Sequence, residues 1–554
     1  MAHRLPASYF DWPSPATEPT TKASKHTSLD LSGSVFLISS AGNVLRLPIP
    51  SDSPHDPLAW SWPRRIVAFC CLQLFSIVAS FEVNIPGTLM PAFHAEFAKD
   101  VPAPLSISSL SSALTLGVGI GYLVNIPLAT AIGRRPVVIM SALITAIATL
   151  AAGLAGSFLQ LLVALAFQGF AVGGTIGMCL VMILDATFIH ERPYALSLYW
   201  SIGSVIIKLL TLPMPYITSL ATEWRTVYQV WFAVSLVSLV FLVSFVPETF
   251  YIRPPVAFDG RVLVQSSTEK VRIYDEWDGV PEDQQEVASM SEQRNNKSQP
   301  WADRFKVLRA QGTKWSSMRT TYAQMPFCFI NPLIFWVSLL NACLLGAIIF
   351  LNLLQPTALL ASVAAALDGP SINLNLGISG AVGALLALPF SGPLTAWLTR
   401  HLSLRTGGVR HAEVYLPGFA IPTIAGCLSV GLACAAVDRS WPAAWQYAAS
   451  MLSMMSYNTG NVAIVLWMTE AFPRWASAAL AVVLFTGNMV AFVIGLTLSP
   501  WIVGQSIIPQ GAVLIGLIAG VGLIALPVAF WGKSVRQYIQ CRWSSSESGA
   551  LRPQ

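Results

Sequence analysis

Long apolar runs and short polar stretches alternate from about residue 64 to residue 533. A helix needs roughly 20 apolar residues to cross about 30 Å of hydrocarbon. By that measure the pattern predicts twelve spans, at 66–90, 108–130, 136–156, 158–184, 194–218, 226–247, 329–353, 376–398, 414–437, 441–468, 476–499 and 511–531. The eighth and tenth carry the most polar residues. Gly and Pro fall inside several spans, which membrane helices tolerate. Two longer polar segments divide the chain: 1–63, rich in Pro and Ser, and 254–325. The predicted organisation is a disordered tail over 1–63, a six-helix bundle over 64–253, a central loop over 254–325, a second six-helix bundle over 326–533 and a tail over 534–554. The first segment has no apolar core beside a basic start, so no cleaved signal is expected.

Composition narrows the class. Hydrophobic residues make up 54% of the chain and charged residues 11%. A soluble domain carries about 25% charged residues, so an ordinary cytosolic enzyme is excluded, as are disorder throughout and a disulfide scaffold. A net charge of +5 over 554 residues gives no basis for nucleic-acid binding. Cys70, Cys71, Cys179, Cys343, Cys427 and Cys434 all lie in apolar runs and read as small hydrophobes, without zinc or disulfide spacing. The fold class that remains is an all-α polytopic membrane protein.

The short loops set an orientation. Arg134, Arg135, Arg192, Arg400, Arg405, Arg410 and Arg474 fall on one side, against Lys99, Arg225 and Arg439 on the other. The positive-inside rule places the first side, both termini and the central loop in the cytoplasm. The sequon at Asn296 is then cytoplasmic and carries no glycan. The central loop is acidic first (Asp275, Glu276, Asp278, Glu282, Asp283, Glu286) and then basic (Arg304, Lys306, Arg309, Lys314, Arg319). A solvated linker outweighs a helix lying on the membrane surface.

A weak repeat links each span to the one six places on. Ile126-Pro127-Leu128-Ala129-Thr130 matches Gly392-Pro393-Leu394-Thr395-Ala396, and Asp185-Ala186-Thr187-Phe188 matches Glu470-Ala471-Phe472-Pro473. Parallel six-helix halves with a site between them are a transporter architecture.

Five motifs extend the picture. Asp56-Pro57-Leu58-Ala59-Trp60 with Pro63-Arg64-Arg65 leads into the first span. Asn125 to Leu128 with Gly133-Arg134-Arg135-Pro136 joins spans two and three. Asp185 to Phe188 with His190-Glu191-Arg192 follows span four. Trp224-Arg225 and Pro247-Glu248-Thr249 bracket span six. Gly407-Gly408-Val409-Arg410 with Glu413 precedes span nine. In order and spacing the chain resembles a fungal major facilitator superfamily transporter of the twelve-span drug:proton antiporter group. The resemblance implies two pseudo-symmetric six-helix bundles, alternating access, and export of a drug or secondary metabolite. The departures bear on coupling. Thr130 and Ala131 stand where the family's loop usually has an acid and often a base. Leu165 stands where antiporters carry Arg three residues before Gln168-Gly169. Gly203 survives from the helix 5 antiporter pattern, but Ile207, Lys208, Thr211 and Leu212 follow it. Uptake by symport or facilitated diffusion is the alternative, and a transport-fold sensor the minor one.

Candidate chemistry sits in the spans. An ionisable group at a helix centre costs at least ~2.5–3.5 kcal/mol, so Glu82 in span one and Lys208 in span five stand out. Both spans run outward, which puts both charges slightly outside the midplane, and the resemblance makes the two helices neighbours. A Glu82–Lys208 pair is therefore expected. Three roles suit it: proton uptake and release at Glu82, an anionic substrate group at Lys208 in exchange for Glu82, or helix packing alone. Asn84, Gln168, Asn341, Asn352, Gln355, Asn458, Asn461 and Asn488 are neutral candidates for a central cavity or for interhelical hydrogen bonds. Trp200 and Trp336 lie deep enough to stack on a flat substrate, whereas Trp231 and Trp467 suit interface anchoring. Arg134, Arg135, Asp185, Glu191, Arg192, Glu248 and Glu470 are candidates for a cytoplasmic gate of ion pairs. With Thr130 in place of the usual acid, Asp185 and Glu248 are expected to rebuild that lock.

The chain has no HExxH, GxSxG, P-loop or His cluster, so neither an enzyme nor direct ATP coupling is expected. No cofactor or metal is implied. The expected partners are a small-molecule substrate, protons and the lipid bilayer, with no nucleic acid, for a monomer in the plasma membrane.

Overall fold

The computed structural model describes residues 28–30, 34–36, 53, 55–102, 105–214, 224–251, 256–258, 261–265, 271–274, 310, 313–363, 369–405, 409–472, 475–504 and 507–543. Arg474, the sequon at Asn296, the acidic stretch from Asp275 and the basic residues Arg304, Lys306 and Arg309 lie outside these. Eleven of the described helices are long and apolar enough to cross a membrane. With the more polar Ala444–Ala471 they make twelve. They are α1 (Trp62–Phe97), α2 (Ser109–Ile132), α3 (Arg134–Gly153), α4 (Phe158–Asp185), α5 (Arg192–Thr211), α6 (Trp224–Phe245), α7 (Pro332–Val363), α8 (Gly369–Pro389), α9 (Ala420–Asp438), α10 (Ala444–Ala471), α11 (Ala476–Gly504) and α12 (Ile507–Leu523).

Their packing repeats across the two halves. In the first, α4 packs on α2 and α3, and α6 on α1 and α3. In the second, α10 packs on α8 and α9, and α12 on α7 and α9. Each pair maps onto its counterpart six helices later, as the sequence repeat predicts. The halves meet along two seams with the same relation, α2 against α11 and α5 against α8, and α10 joins the second.

Several elements depart from plain spans. α1 starts from a short 3-10 turn, Pro57–Ala59, whose first N–H is capped by Asp56: its carboxylate accepts from Leu58 N at 3.0 Å. The Asp-Pro motif is thus a helix start. α8 passes into a π-helical turn, Phe390–Leu394, and continues as Thr395–Arg405. A separate helix, Trp315–Ile330, precedes α7 and packs on α2 and α11. It contains Arg319 from the basic part of the central segment. Ser28–Asp30 of the N-terminal tail pairs antiparallel with Val271–Tyr274 of that segment, and Ser34–Phe36 pairs with Val409–His411.

Candidate functional site

The helix ends on the face that bears the start of α1 and the end of α12 are tied by charge. α2 turns into α3 through Gly133 alone, at φ 107°. Glycine is required there: the conformation is left-handed, and a β-carbon would lie 2.7 Å from both Glu248 Oε2 and Ala310 Cβ. That close turn exposes the first N–H groups of α3, and Glu248 caps them. Its Oε1 accepts from Arg134 N and its Oε2 from Arg135 N, each at 3.1 Å. Oε1 also accepts from Phe250 N and Thr249 N. A carboxylate at a helix N-terminus is favoured by the unsatisfied N–H groups and the helix dipole. Burial pushes the Glu248 carboxyl above its ordinary pKa, and these N–H groups with the Arg134 charge oppose the rise. Glu248→Ala should destabilise the protein by about 1–2 kcal/mol through loss of this cap, read as a lower melting temperature. An unchanged melting temperature would refute the cap.

Around that cap, Arg134 pairs with Asp185 of α4 at 3.2 Å and lies over the Phe250 ring at 4.5 Å. Arg65 of α1 meets Glu191 at 2.5 Å and donates to Ala186 O. Arg135 donates to Val243 O at 2.9 Å. All of these stay within the first half. Arg192 of α5 reaches Glu470 of α10 at 3.5 Å, so this pair spans the two halves. Beside it, Ser197 Oγ donates to Leu388 O at 2.9 Å and lies 2.8 Å from Ser391 Oγ, joining α5 to α8. Thr130 takes no part in this charge network. Its hydroxyl donates to Pro127 O and lies 3.4 Å from Thr321 Oγ1 of the preceding helix.

The second group lies inside the first half. Glu82 is 1% exposed. Its Oε1 accepts from Thr149 Oγ1 of α3 at 2.7 Å and from Ser235 Oγ of α6 at 3.1 Å. Gln168 Nε2 of α4 donates to the same Thr149 hydroxyl at 3.0 Å. Four helices thus converge on one carboxyl. Glu82 Oε2, Gln168 Oε1 and Tyr228 Oη are buried with no hydrogen-bond partner among the described residues. No cation pairs with Glu82 among them either.

The expected Glu82–Lys208 pair does not form. Lys208 falls in the last turn of α5, whereas Glu82 lies well inside α1, and the two face different compartments. Glu82 faces α3 and α6, whereas Lys208 faces α8 and α10, with its Cε beside Gly380 and Met454. One turn away on α5, Ser204 Oγ donates to Asn458 Oδ1 of α10 at 3.0 Å. One turn further, the half-buried Trp200 meets Tyr457 of α10 edge-on, with ring centroids 6.1 Å apart.

The sequence profile of the Major Facilitator Superfamily matches residues 71–451. The chain belongs to that superfamily. Among curated superfamily proteins, it is 23% identical over 181 residues to the MFS-type efflux pump MMF1 of Mycosarcoma maydis, covering 32% of this chain and 28% of that one. It is 24% identical over 237 residues to an uncharacterized MFS-type transporter of Schizosaccharomyces pombe, covering 43% of this chain and 40% of that one. The chain therefore aligns with well under half the length of these relatives. Among solved structures, the proton:xylose symporter XylE bound to 6-bromo-6-deoxy-D-glucose superposes with a TM-score of 0.56 at 13% identity, over 86% of this chain and 96% of that one. XylE from E. coli in a partially occluded inward open conformation gives 0.50 at 12% identity, over 85% and 98%. At those identities the likeness shows the fold. This superfamily member is a multi-pass membrane protein.

The superfamily fold scatters the remaining polar candidates. Asn341 lies against α11, donating to Val483 O at 3.4 Å. Gln355 donates to Gln446 O of α10 at 2.8 Å. Asn352, a neutral candidate eleven residues beyond Asn341 on the same helix, is exposed. Eleven residues return a helix to the same side, but these two stand about 16 Å apart along the axis and meet different surroundings. Asn84 is exposed and donates to Ser80 O of its own helix. Asn461 and Asn488 likewise bond to carbonyls four residues back. Trp336 is core, donating to Val521 O and packing on Trp467. Sequence reasoning missed Ser197, Ser391, Thr149 and Ser235. Hydroxyls inside apolar runs carry no signal of their own, because each can bond a carbonyl of its own helix.

Proposed function

We propose that the protein exports a small organic molecule by exchange with protons, and that Glu82 takes up and gives off the coupling proton. The observation that carries this reading is the setting of Glu82. A carboxyl at membrane depth, ringed by hydroxyl and amide groups and without a cation among the described residues, is costly to keep ionised. A proton settles that charge, and the Gln168–Thr149–Glu82 chain offers it hydrogen-bonding groups on three helices. The terminal face is cytoplasmic in this reading, in the plasma membrane of the cell, and the chain acts as a monomer. The Arg192–Glu470 pair and the Ser197 contacts then hold the cytoplasmic side shut and part when it opens. Export is the direction suited by the relative named an efflux pump.

The test is small-molecule profiling of cells and medium for wild type, Glu82→Gln and empty vector at external pH 5 and 7. A compound carried outward by wild type should fall to the empty-vector level in Glu82→Gln at equal surface expression. Accumulation inside the cells would turn the reading to uptake. Unchanged transport by Glu82→Gln would remove Glu82 from the coupling path.

A further inference from the structure

The seam between the halves holds a cation for which the described residues provide no partner. Lys208 lies where α5 meets α8 and α10. A β-carbon at Gly380 would be bounded by Lys208 Cε and Met454 Cγ at 3.4 Å and by Lys208 Cδ at 3.7 Å, so the stem crosses to the other half. The side chain is half-buried. No ion pair among the described residues includes Lys208, and its ammonium makes no hydrogen bond among them. Glu82 is held elsewhere by Thr149 and Ser235.

Two more donors lie along the same seam. Asn458 is fully buried and its Oδ1 accepts from Ser204, which fixes the amide; its Nδ2 has no acceptor among the described residues. Trp200 Nε1 is also buried without an acceptor among them. Buried donors are almost always paired, so two left open beside Lys208 along one seam are unusual. From Trp200 to Lys208 the row rises about 12 Å along α5, and the ring of Tyr457 borders it from α10. An ammonium with neutral N–H donors selects an oxyanion, and the two rings suit a flat apolar body.

We propose that this seam binds an oxyanion carried by the transported molecule, so that the substrate is an organic acid, in its simplest form an aromatic carboxylate. Lys208 meets the carboxylate, Asn458 donates to it or to a polar atom beside it, and Trp200, about two turns away on α5, borders the apolar body. This deepens the export reading and rests on it for the word substrate. The site stands on the unpaired donors. A bound carboxylate cancels the Lys208 charge, so the loaded seam is neutral and the empty seam is not. Anion and proton occupy separate compartments, and neither displaces the other.

The test uses the purified full chain in neutral phosphatidylcholine micelles with 2-naphthoate, and with 2-naphthamide as its uncharged counterpart. Naphthoate should raise the melting temperature saturably, and naphthamide should not. Lys208→Met should abolish the naphthoate shift while melting no lower than wild type without ligand, because no internal partner is lost. Lys208→Arg should keep a shift. Glu82→Gln should keep it too, which separates this site from the proton reading: a retained shift with lost proton dependence leaves both standing, and a retained shift with unchanged transport overturns the Glu82 role alone. Equal shifts from naphthoate and naphthamide, or no Lys208-dependent shift, would overturn the proposal. So would a ligand-free loss of stability in Lys208→Met that removing a carboxylate restores. Phosphatidylglycerol giving the Lys208-dependent shift, with naphthoate adding nothing, would assign the seam to a lipid headgroup and overturn it as well.

Discussion

Gly121→Val should leave no folded protein to assay. α2 and α4 touch backbone to backbone. A β-carbon on Gly121 would strike the Phe170 carbonyl oxygen and lie 3.1 Å from Gly173 Cα. One on Gly173 would strike Val118 O and lie 3.1 Å from Gly121 Cα. Gly117 and Gly169 meet Ala166 O and Leu114 O in the same way. Each helix thus offers two glycines four residues apart, the small-residue spacing that lets membrane helices approach closely. Valine adds three carbons where the obstruction is backbone, which cannot rotate away. The expected loss is about 3 kcal/mol or more, read as collapse of the monodisperse peak in size-exclusion chromatography. Gly520→Val is the control, since nothing stands within 4 Å of a β-carbon there, and it should match wild type. A monodisperse Gly121→Val protein would show that the helices separate more easily than this contact allows.

The second large effect is expected at Arg134→Ala. Arg134 is 2% exposed, its guanidinium pairs with Asp185, and its ring contact with Phe250 holds the guanidinium plane. Removing it takes the guanidinium counter-charge from the buried Asp185 carboxylate, which Thr249 Oγ1 also approaches at 3.4 Å. Breaking a buried pair from one side costs about 3–5 kcal/mol, because the remaining buried charge loses its counter-charge. Arg134→Ala should therefore melt well below wild type, and Asp185→Asn in the same chain should recover much of the loss. A single variant that melts like wild type, or a double variant no better than the single, would show that the pair does not carry this stability.

Much of the architecture was legible because hydropathy reports directly on membrane depth. The weakness of the tenth span was legible as well, and its cause is now plain: Asn458 and Asn461 of α10 are buried at or near the seam, where polar groups have uses. Which way a residue faces was not legible. A span that is apolar all round has no amphipathic stripe, so nothing in the sequence separates the bundle interior, where Glu82 lies, from the seam, where Lys208 lies. That both lie in spans was legible, and that they face different compartments was not. Glu248 shows a second limit. Its motif was recognisable, but the N–H groups it caps belong to a helix that begins 114 residues earlier, and only the fold joins them. The paired glycines of α2 and α4 are visible as a spacing, but glycine is frequent in membrane spans, so the spacing alone does not mark a backbone contact.

The π-helical turn after α8 bears on how the terminal face can open. At this turn Ser197 Oγ from the other half donates to the Leu388 carbonyl and lies beside Ser391 Oγ. Once α5 and α8 part, the serine hydroxyl loses both contacts, and in hydrocarbon a polar group without a partner is not sustained. Water has to take the place of the Leu388 carbonyl and the Ser391 hydroxyl beside Ser197 as the helices separate. Opening at this point is therefore a wetting step, and its rate should fall with water activity when an impermeant osmolyte is added, even with the substrate and proton gradients held constant.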